Sequence, residues 1–566
     1  MCNILLIAPC FAGQSFWSLD AACEIYGART IAPPLGLITV AAMLPSSWEC
    51  RLVDRNAEDL LNSDLTWADL VMTGGMLPQR PDTLRVIGLA QARGKPVAVG
   101  GPDVTSSPDA YAAADFRVLG EAEGVIDAFI AAWNSGDRKG VFEAEKFKVD
   151  VTKTPIPRFD LPKPAHYDFY GVQFTRGCPF TCEFCDIIEL YGRVPRVKSM
   201  EQMLAELEAL YRLGYRGSVN FVDDNFIGNK KAVKAFLPHL IAWQKERGYP
   251  FKFMTEASIN LADDDALLAL MREANFFIVF VGIESPDTDT LVSMQKKQNT
   301  RRALGPNVHK IYRAGILVVA GFILGFDSEK GAVADGVIEC IEATSIPVCM
   351  IGLLYALPET QLTRRLVREG RLHPASYTLR RDAELGAGDQ CTSGLNFDTI
   401  RPRRDILMDY KRVLERVYQP AAFYARLRAV AQMLDRPRLD KSASKDPAGR
   451  QIFGVPTHDL VMLWRIVWRL AVLQPRALWH FGQLLCDCVV KYPSATDAVG
   501  MLSAMYLHVG PFSRFVISVL DRRIAEIDSG KWQPPPATEN ELAGYAISQT
   551  HQLGRPEKRS RIHEAT

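Results

Sequence analysis

The sequence has no excess of charge of either sign. Its 566 residues carry 66 Lys and Arg against 65 Asp and Glu, which gives a formal net charge of +1 at pH 7. A strongly basic balance is the electrostatic signature of nucleic-acid binding. The composition therefore gives no reason to expect a nucleic acid as a partner, and we expect the chain to act on a small molecule.

Signals for export and for membrane insertion are also missing. The first ten residues, MCNILLIAPC, have no basic segment before the apolar run and no cleavage site, so they predict a buried strand and not a signal peptide. No apolar stretch reaches about 18 residues without a charge, which argues against a spanning helix. Twelve cysteines in so long a chain are too few for a disulfide scaffold. We expect a cytoplasmic protein with reduced thiols.

Three of the cysteines nevertheless form a pattern. Cys178, Cys182 and Cys185 are spaced C-x3-C-x2-C within the segment VQFTRGCPFTCEFCD, where Gly177 and Pro179 predict a loop. Thiolates on a tight loop are the ligands that an iron–sulfur cluster needs. Three cysteines leave one iron of a [4Fe–4S] cluster open to chelate a substrate or cosubstrate. The alternatives are a zinc knuckle or three unrelated thiols, but the second C-x2-C pair that zinc sites favour does not follow.

This loop resembles the cluster motif of the radical S-adenosylmethionine (SAM) superfamily, in which an aromatic residue, here Phe184, precedes the last cysteine. The resemblance implies a [4Fe–4S] cluster whose open iron binds the amino and carboxylate groups of SAM. It also implies that the reduced cluster cleaves SAM to a 5′-deoxyadenosyl radical. An electron donor such as a flavodoxin or a ferredoxin is therefore an expected partner.

Residues 1–135 alternate short apolar strands with helices, which predicts a doubly wound, Rossmann-like parallel sheet. The predicted strands cover residues 3–8, 51–54, 69–73, 96–99 and 116–119. Ligands of such sheets bind at the carboxyl ends of the strands, where glycines let the backbone approach a flat ligand closely. No G-x-G-x-x-G follows the first strand, which disfavours a dinucleotide.

Three motifs in this domain, PPLGL, GGP and GEAE, resemble those of the cobalamin-binding domain that precedes many radical SAM domains. The resemblance implies that cobalamin is bound by Thr73, Gly74, Met76, Gln79, Gly100, Gly101, Pro102, Gly120, Glu121 and Glu123. The D-x-H-x-x-G motif, whose histidine ligates cobalt in some cobalamin proteins, is absent. The lower face of cobalt would then meet an apolar side chain such as Met76 or Leu77. The alternative is a flavodoxin-like domain that holds another ligand or none.

Residues 136–170 are polar and proline-rich and predict an extended linker. Six strand–helix units follow over residues 171–375, which predicts a partial (β/α)6 barrel with its active residues at the carboxyl ends of the strands. The candidates for SAM binding are Phe184, Asp223, Asp224, Glu256, Ser258, Glu284 and Gly325. Each of the polar ones alone fits a helix cap or a solvated loop equally well. The run GFILGFD resembles the family's adenine-lining G-x-I-x-G-x-x-E strand, but Ser328 occupies the position of the glutamate and Glu329 comes one residue late.

The remainder of the chain predicts helices. Residues 376–435 resemble the tail that follows the barrel in cobalamin-type radical SAM enzymes, 437–450 predict a polar linker, 451–530 a helical C-terminal domain and 531–566 a disordered tail. Trp and Arg alternate in the segment WRIVWRL, residues 464–470. This segment fits either a helical cap on the barrel, because aromatic stripes are commonly core, or an amphipathic surface that contacts the inner face of a membrane.

Taken together, the two resemblances identify the chain as a cobalamin-dependent radical SAM enzyme of the methyltransferase branch. Such an enzyme uses one SAM to methylate cobalt and a second SAM to generate a radical at an unactivated carbon, which then receives the methyl group. No side-chain base is required, so no catalytic residue is assigned. The C-terminal extension and the motifs DDNFIGN and IESPD resemble the branch of the hopanoid C-2 methylases, which implies a polycyclic lipid substrate. The alternatives are an oxidative cyclase that acts on a porphyrin and a non-catalytic cobalamin or iron–sulfur sensor.

Overall fold

The structure is a computed structural model that describes residues 2–11, 14–300, 303–375, 377–378, 390–434, 451–452 and 455–535. The predicted linker 437–450 and most of the predicted tail 531–566 lie outside these residues. The described chain contains two six-stranded parallel sheets, two short antiparallel ribbons and a C-terminal group of helices.

The N-terminal sheet has the strand order β2-β1-β3-β4-β5-β6. Its strands are β1 (Asn3–Ala8), β2 (Glu49–Asp54), β3 (Leu70–Gly74), β4 (Val97–Gly100), β5 (Phe116–Leu119) and β6 (Gly140–Glu143), and its helices are α1 (Asp20–Tyr26), α2 (Leu35–Met43), α3 (Asn62–Trp67), α4 (Arg80–Gln91), α5 (Pro102–Ser106) and α6 (Ile126–Ser135). Successive residues of β1 are buried in two different clusters, Leu5 in one and Leu6 in the other, so helices cover both faces. The order reverses between β1 and β3, which is where ligands of such sheets bind.

The sixth strand of this sheet lies in the segment that the sequence assigns to the linker. Residues 140–143 pair in parallel with β5. The ring of Phe142 contacts Phe129 edge-on, with 5.6 Å between the ring centroids, and the ring of Phe116 lies beside it. This packing of aromatic rings holds a four-residue strand that has too little apolar sequence to be recognised alone. The predicted linker 136–170 thus contains β6 and the first two residues of the later strand Phe169–Val172, and the predicted domain limits stay predictions.

The second sheet forms the partial (β/α)6 barrel that the sequence predicts, with all pairs parallel and the order β14-β13-β12-β11-β10-β7. Its strands are β7 (Phe169–Val172), β10 (Gly217–Phe221), β11 (Phe251–Glu256), β12 (Phe276–Glu284), β13 (Leu317–Leu324) and β14 (Cys349–Leu353); a ribbon of β8 (Thr175–Arg176) and β9 (Arg196–Val197) lies between the first two. The helices are α7 (Ile187–Leu190), α8 (Met200–Arg212), α9 (Lys230–Glu246), α10 (Asp265–Glu273), α11 (Thr288–Ser293), α12 (Leu304–Arg313) and α13 (Val333–Thr344). Because every strand points the same way, all the loops that follow the strands open on one edge.

The C-terminal helices pack on the barrel as one continuous core. They are α14 (Gln361–Arg368), α15 (Arg403–Val417), α16 (Pro420–Met433), α17 (Thr457–Leu473), α18 (Pro475–Lys491) and α19 (Thr496–Asp528), with a ribbon of β15 (Gln451–Ile452) and β16 (Val455–Pro456) before α17. The Tyr410 hydroxyl donates to the Ile351 carbonyl of β14 at 2.6 Å, and the Tyr506 hydroxyl donates to the Tyr418 carbonyl at 3.0 Å. The described helices include none that is both long enough and apolar enough to cross a bilayer.

Candidate cofactor site

The three cysteines lie on a loop that the backbone holds tightly. Gly177 has a φ of 99°, and a Cβ atom at this position would lie 2.9 Å from the Gly192 carbonyl oxygen. Only glycine fits there, since the contact is with backbone that cannot move away. The loop is fixed further because the Cys178 N–H donates to the Gly192 carbonyl at 3.2 Å and the Cys185 N–H donates to the Cys182 carbonyl at 3.2 Å.

The thiols of this loop are close enough to influence one another. Burial raises the pKa of Cys185 well above its usual value, and the charges of Asp186 and Cys182 raise it further. Burial and Cys182 likewise raise the pKa of Cys178. Without a cation these thiols would stay protonated, and a bound metal supplies the charge that makes a thiolate. In the described part of the chain no three metal-binding side chains converge on a single-ion site; in a cluster, each cysteine binds a different iron.

The two aspartates after β10 accept hydrogen bonds from the backbone that leads into this loop. The carboxylate of Asp223 is buried and accepts hydrogen bonds from the backbone N–H groups of Phe174, at 3.1 Å, and Thr175. The carboxylate of Asp224 accepts one from the Gly177 N–H at 2.9 Å. Their predicted contacts with the SAM ammonium stay predictions, and the structure gives both carboxylates a role in holding the cysteine loop.

Acidic side chains crowd the edge next to the cysteines. Desolvation by the surrounding protein raises the pKa of Glu256 to about 7 although its side chain reaches solvent, and the charges of Asp224, Asp223 and Glu284 raise it as well. Burial also raises the pKa of Asp224 to about 6. The ammonium group of Lys296 offsets part of this charge at Glu256, and the guanidinium groups of Arg176 and Arg196 offset part of it at Asp224. A ligand with net positive charge would relieve the remaining repulsion. SAM, with a sulfonium and an ammonium group, fits this requirement.

Lys296 is a buried residue of the site that sequence reasoning missed. Its ammonium group forms an ion pair with Glu284, and it lies 5.8 Å from the centre of the Phe184 ring. Burial would lower the pKa of Lys296, but the charges of Glu284 and Cys182 raise it above its usual value, so the group is charged at neutral pH. The local sequence, QKKQN, resembles a solvated turn, and only the fold reveals that the first lysine points inward.

We expect Lys296→Met to lower the free energy of unfolding by about 3–5 kcal/mol, because it leaves the carboxylate of Glu284 buried without its cation. Urea unfolding of the protein before the cluster is loaded measures this change. Lys297→Met is the matched control, since Lys297 is exposed, and Lys296→Arg should restore part of the stability. Equal stability of Lys296→Met and the wild type would contradict this role.

The other predicted SAM residues lie at the same edge but make different local contacts. The Ser258 hydroxyl donates to the Asn260 side chain at 2.6 Å, and Phe184 packs against Phe326 with 5.9 Å between ring centroids. The Gly325 N–H donates to the carboxylate of Glu329 at 2.9 Å. Glu329 is also paired with Arg401 at 2.9 Å. Glu329, which comes one residue later than the glutamate of the adenine-lining motif, therefore stabilises the turn after β13. The adenine contact stays a prediction.

At the carboxyl edge of the N-terminal sheet, glycines leave the backbone uncovered by side chains. A Cβ atom at Gly74 would lie 1.9 Å from the Gly100 carbonyl oxygen, and Gly101, with a φ of 100°, is in a conformation that favours glycine. Met76 follows these glycines with 47% of its surface exposed. A bare backbone edge beside an exposed apolar side chain is a surface that a flat ring can cover. The residues present therefore fit a corrin.

Several predicted cobalamin residues tie this edge to its surroundings. The Thr73 hydroxyl donates to the Ile7 carbonyl at 2.8 Å, and the Gln79 amide donates to the Pro9 carbonyl at 2.6 Å. Gly120 turns the chain with a φ of 80°, and Pro102 begins α5. These contacts shape the loops at the β1–β3 switch point, and direct contacts of these residues with cobalamin stay a prediction.

Glu121 and Glu123 join the two domains. Arg176, two residues before the first cluster cysteine, pairs with Glu121 at 3.0 Å and with Glu123 at 2.6 Å, and Arg196 pairs with Glu121 at 2.8 Å. Burial would raise the pKa of Glu123, but the hydrogen bond and the charge of Arg176 lower it below its usual value. The structure therefore brings the cobalamin-type edge and the cysteine loop into direct contact. A two-domain site with these features defines a cobalamin-binding radical SAM protein.

Comparison with protein-family models agrees with this class. The B12 binding domain matches residues 27–130, the radical SAM superfamily matches residues 172–334, and a domain of unknown function, DUF4070, matches residues 360–521. The first two matches fall on the two sheets that carry the site. The cofactors are thus a [4Fe–4S] cluster, SAM and cobalamin, as the sequence predicts.

Two similar proteins narrow the class further. The chain is 45% identical over 486 residues to the uncharacterized methyltransferase sll1242 of Synechocystis sp., which covers 85% of this chain and 87% of that protein. It is 37% identical over 456 residues to the hopanoid C-2 methylase of Rhodopseudomonas palustris, which covers 80% of this chain and 83% of that protein. The chain belongs to this family of cobalamin-dependent radical SAM methyltransferases. The prediction of an enzyme is confirmed, and the sensor alternative falls away.

A solved structure agrees with the fold. The cobalamin-dependent SAM radical enzyme OxsB, determined with aqua-cobalamin and SAM bound, superposes with a TM-score of 0.53 over 97% of this chain and 84% of that chain. The sequences are 15% identical, so the likeness concerns the fold alone.

Proposed function

We propose that the protein transfers a methyl group from SAM to an unactivated carbon of a polycyclic lipid, and that the lipid is a hopanoid methylated at C-2. The observation that carries this proposal is the 37% identity to the Rhodopseudomonas palustris hopanoid C-2 methylase over 83% of that protein. That span is too long for the shared cofactor domains alone to supply it.

The residues of this chain would bind and orient the reacting groups. Cys178, Cys182 and Cys185 would hold the cluster, and the acidic edge with Lys296 would hold SAM above it. The glycine edge with Met76 would hold cobalamin. When bound, these groups supply the electron, the radical and the methyl group. An electron donor such as a flavodoxin or a ferredoxin completes the proposed system.

The interface between the two domains would hold the cluster, SAM and cobalamin in fixed positions relative to one another. The ion pairs of Arg176 fix the cysteine loop to the glycine edge, so the substrate carbon can be held between them. Such positioning is the main contribution of the protein when the cofactors perform the difficult chemistry.

Methyl transfer and the acceptor can be tested in one incubation. The anaerobically reconstituted protein is incubated with cobalamin, a reductant, SAM labelled in its methyl group and a hopanoid in detergent. The masses of the products are then measured by mass spectrometry. We expect a hopanoid that carries the label, together with 5′-deoxyadenosine. A porphyrin in place of the hopanoid is the control for the cyclase alternative and should remain unlabelled and uncyclised.

The matching test in cells is the lipid profile after deletion of the gene. Loss of the C-2-methylated hopanoid is the expected result. If 5′-deoxyadenosine forms but neither assay detects a methylated hopanoid, the acceptor proposed here is wrong while the family assignment stands.

A further inference from the structure

The C-terminal helices expose a large apolar surface. Helix α17 presents Trp464, Trp468 and Val472 to solvent, with 63%, 58% and 59% of their surfaces exposed, and Val461 extends the same row. These positions recur every three or four residues and so lie on one face. Helix α18 adds Trp479, 67% exposed. We call Val461, Trp464, Val467, Trp468, Val472, Leu473, Trp479, Val489 and Val490 the tryptophan face.

This face is not the packing side of the helices. The opposite side of α17 buries Ile466 and Leu470, and α18 buries Phe481 and Leu484. Both helices are therefore held by their own core, while their outer surfaces remain apolar. Soluble proteins seldom leave several large apolar side chains together on the surface without a partner.

The charges around the tryptophan face are mostly positive. From Leu460 to Lys491 the sequence contains three arginines, one lysine and one acid, Asp487, which pairs with Arg428 at 3.1 Å and with Lys491 at 2.9 Å. Arg465 donates to the Ile25 carbonyl at 2.9 Å and Arg469 pairs with Glu24, so these two anchor α17 to α1. Arg476 is exposed and precedes the exposed Trp479 by three residues, about one turn, on α18. Exposed tryptophans with an excess of basic side chains match the chemistry of an anionic lipid surface.

The contacts of Arg465 and Arg469 place the tryptophan face next to α1 of the N-terminal domain. Helix α1 follows the loop after β1, and α19 reaches the same loop, because the His508 ring lies 3.1 Å from the Ser15 carbonyl and Phe512 packs against Phe16 with 6.3 Å between ring centroids. That loop borders the β1–β3 switch point. A bilayer bound by α17 would therefore lie beside α1, which follows the first strand of the N-terminal sheet.

We propose that the tryptophan face docks the protein on an anionic lipid bilayer, from which it takes its apolar substrate. The inference rests on the proposed function for the identity of the substrate, but the docking itself does not depend on turnover. Each tryptophan would insert its ring at the level of the lipid headgroups, and the exposed guanidinium group of Arg476 would meet a lipid phosphate.

Vesicle flotation of the full chain tests this docking without substrate. The probes are vesicles of phosphatidylglycerol mixed with phosphatidylcholine, and vesicles of phosphatidylcholine alone. We expect the wild type to float with the anionic vesicles and less with the neutral ones, with a shift of tryptophan emission to shorter wavelength. The double variant Trp464→Ser/Trp468→Ser should lower the partition coefficient at least about 10-fold, because two large apolar side chains no longer insert.

The control is Ile400→Ser, which removes an apolar side chain outside the tryptophan face that is 67% exposed, against 63% for Trp464 and 58% for Trp468. It should float like the wild type. The docking proposal is overturned if the wild type stays at the bottom of the gradient, or if the double variant floats equally well. It is also overturned if sedimentation shows that the face joins two copies of the chain and vesicles do not bind. Circular dichroism confirms that the variants are folded.

Because flotation involves no turnover, the two proposals can fail separately. If the protein binds vesicles but does not methylate a hopanoid, the docking proposal stands and the proposed acceptor is wrong. If it methylates a hopanoid but does not bind vesicles, the proposed function stands and the docking proposal is wrong.

Discussion

Cys185→Ala should abolish the iron–sulfur cluster and every activity that depends on it. The iron content of the reconstituted protein should fall from about four atoms per chain to near zero, since a three-cysteine site has no spare ligand. Formation of 5′-deoxyadenosine from SAM should fall to background. Cobalamin binding should remain, because the glycine edge that fits cobalamin belongs to the other sheet. Iron and cobalt analysis together with chromatography of the SAM products measures all three.

The control for this variant is Cys486→Ala, because Cys486 is an exposed thiol outside the cysteine loop. It should retain iron, cobalamin and SAM cleavage at wild-type levels. Full iron content and SAM cleavage in Cys185→Ala would remove the assignment of the cluster to this loop.

Arg176→Met should destabilise the contact between the two domains by about 3–5 kcal/mol, because it leaves Glu123 buried without a cation and Glu121 paired with Arg196 alone. The side chains of Arg176, Glu121 and Glu123 are only 12%, 4% and 14% exposed. The pKa of Glu123 is lowered, so its stabilising contribution is complete above the ordinary value of 4.5 and is lost as the pH falls through the lowered value. Urea unfolding at pH 7 and at lower pH measures both effects.

Arg158→Met provides the comparison for an ion pair of the same kind at the surface. Arg158 pairs with Asp160 at 2.7 Å, but the two side chains are 40% and 51% exposed. An exposed pair contributes about 0–1 kcal/mol, so this variant should unfold almost like the wild type. Equal losses in the two variants would show that Arg176 has no special role at the interface.

The local parts of the fold could be predicted because their signals are local. Ser199 and Gln202 predict the start of a helix, and in the structure the Ser199 hydroxyl accepts from the Gln202 N–H at 3.2 Å while the Gln202 side chain accepts from the Ser199 N–H at 3.3 Å. Five of the barrel strands are equally visible as largely apolar runs that end in polar residues, whereas the first, β7, begins two residues inside the predicted linker. Strand β6 was not predicted, because it is held by the rings of Phe116 and Phe129 from elsewhere in the chain.

The candidate site was predictable only where a motif carries it. The cysteine spacing is a local pattern, but the ion pair of Lys296 with Glu284 spans twelve residues and a turn of the fold. The contact of Arg176 with Glu121 spans 55 residues and two domains. No periodicity in the sequence predicts such pairs, since each partner alone resembles an ordinary surface charge. The sequence alone allows either a core or a lipid-facing position for the tryptophans of α17, and their solvent exposure in the structure excludes the core.

The central claim is that the cysteine loop and the cobalamin edge form a single site. Electron paramagnetic resonance of the protein loaded with both a reduced cluster and cob(II)alamin tests this claim most directly, with two samples that each carry one of the groups as references. We predict that the signals of the doubly loaded protein are broadened or split, because two nearby electron spins interact. A spectrum equal to the sum of the two references, with both groups fully bound, would contradict the account.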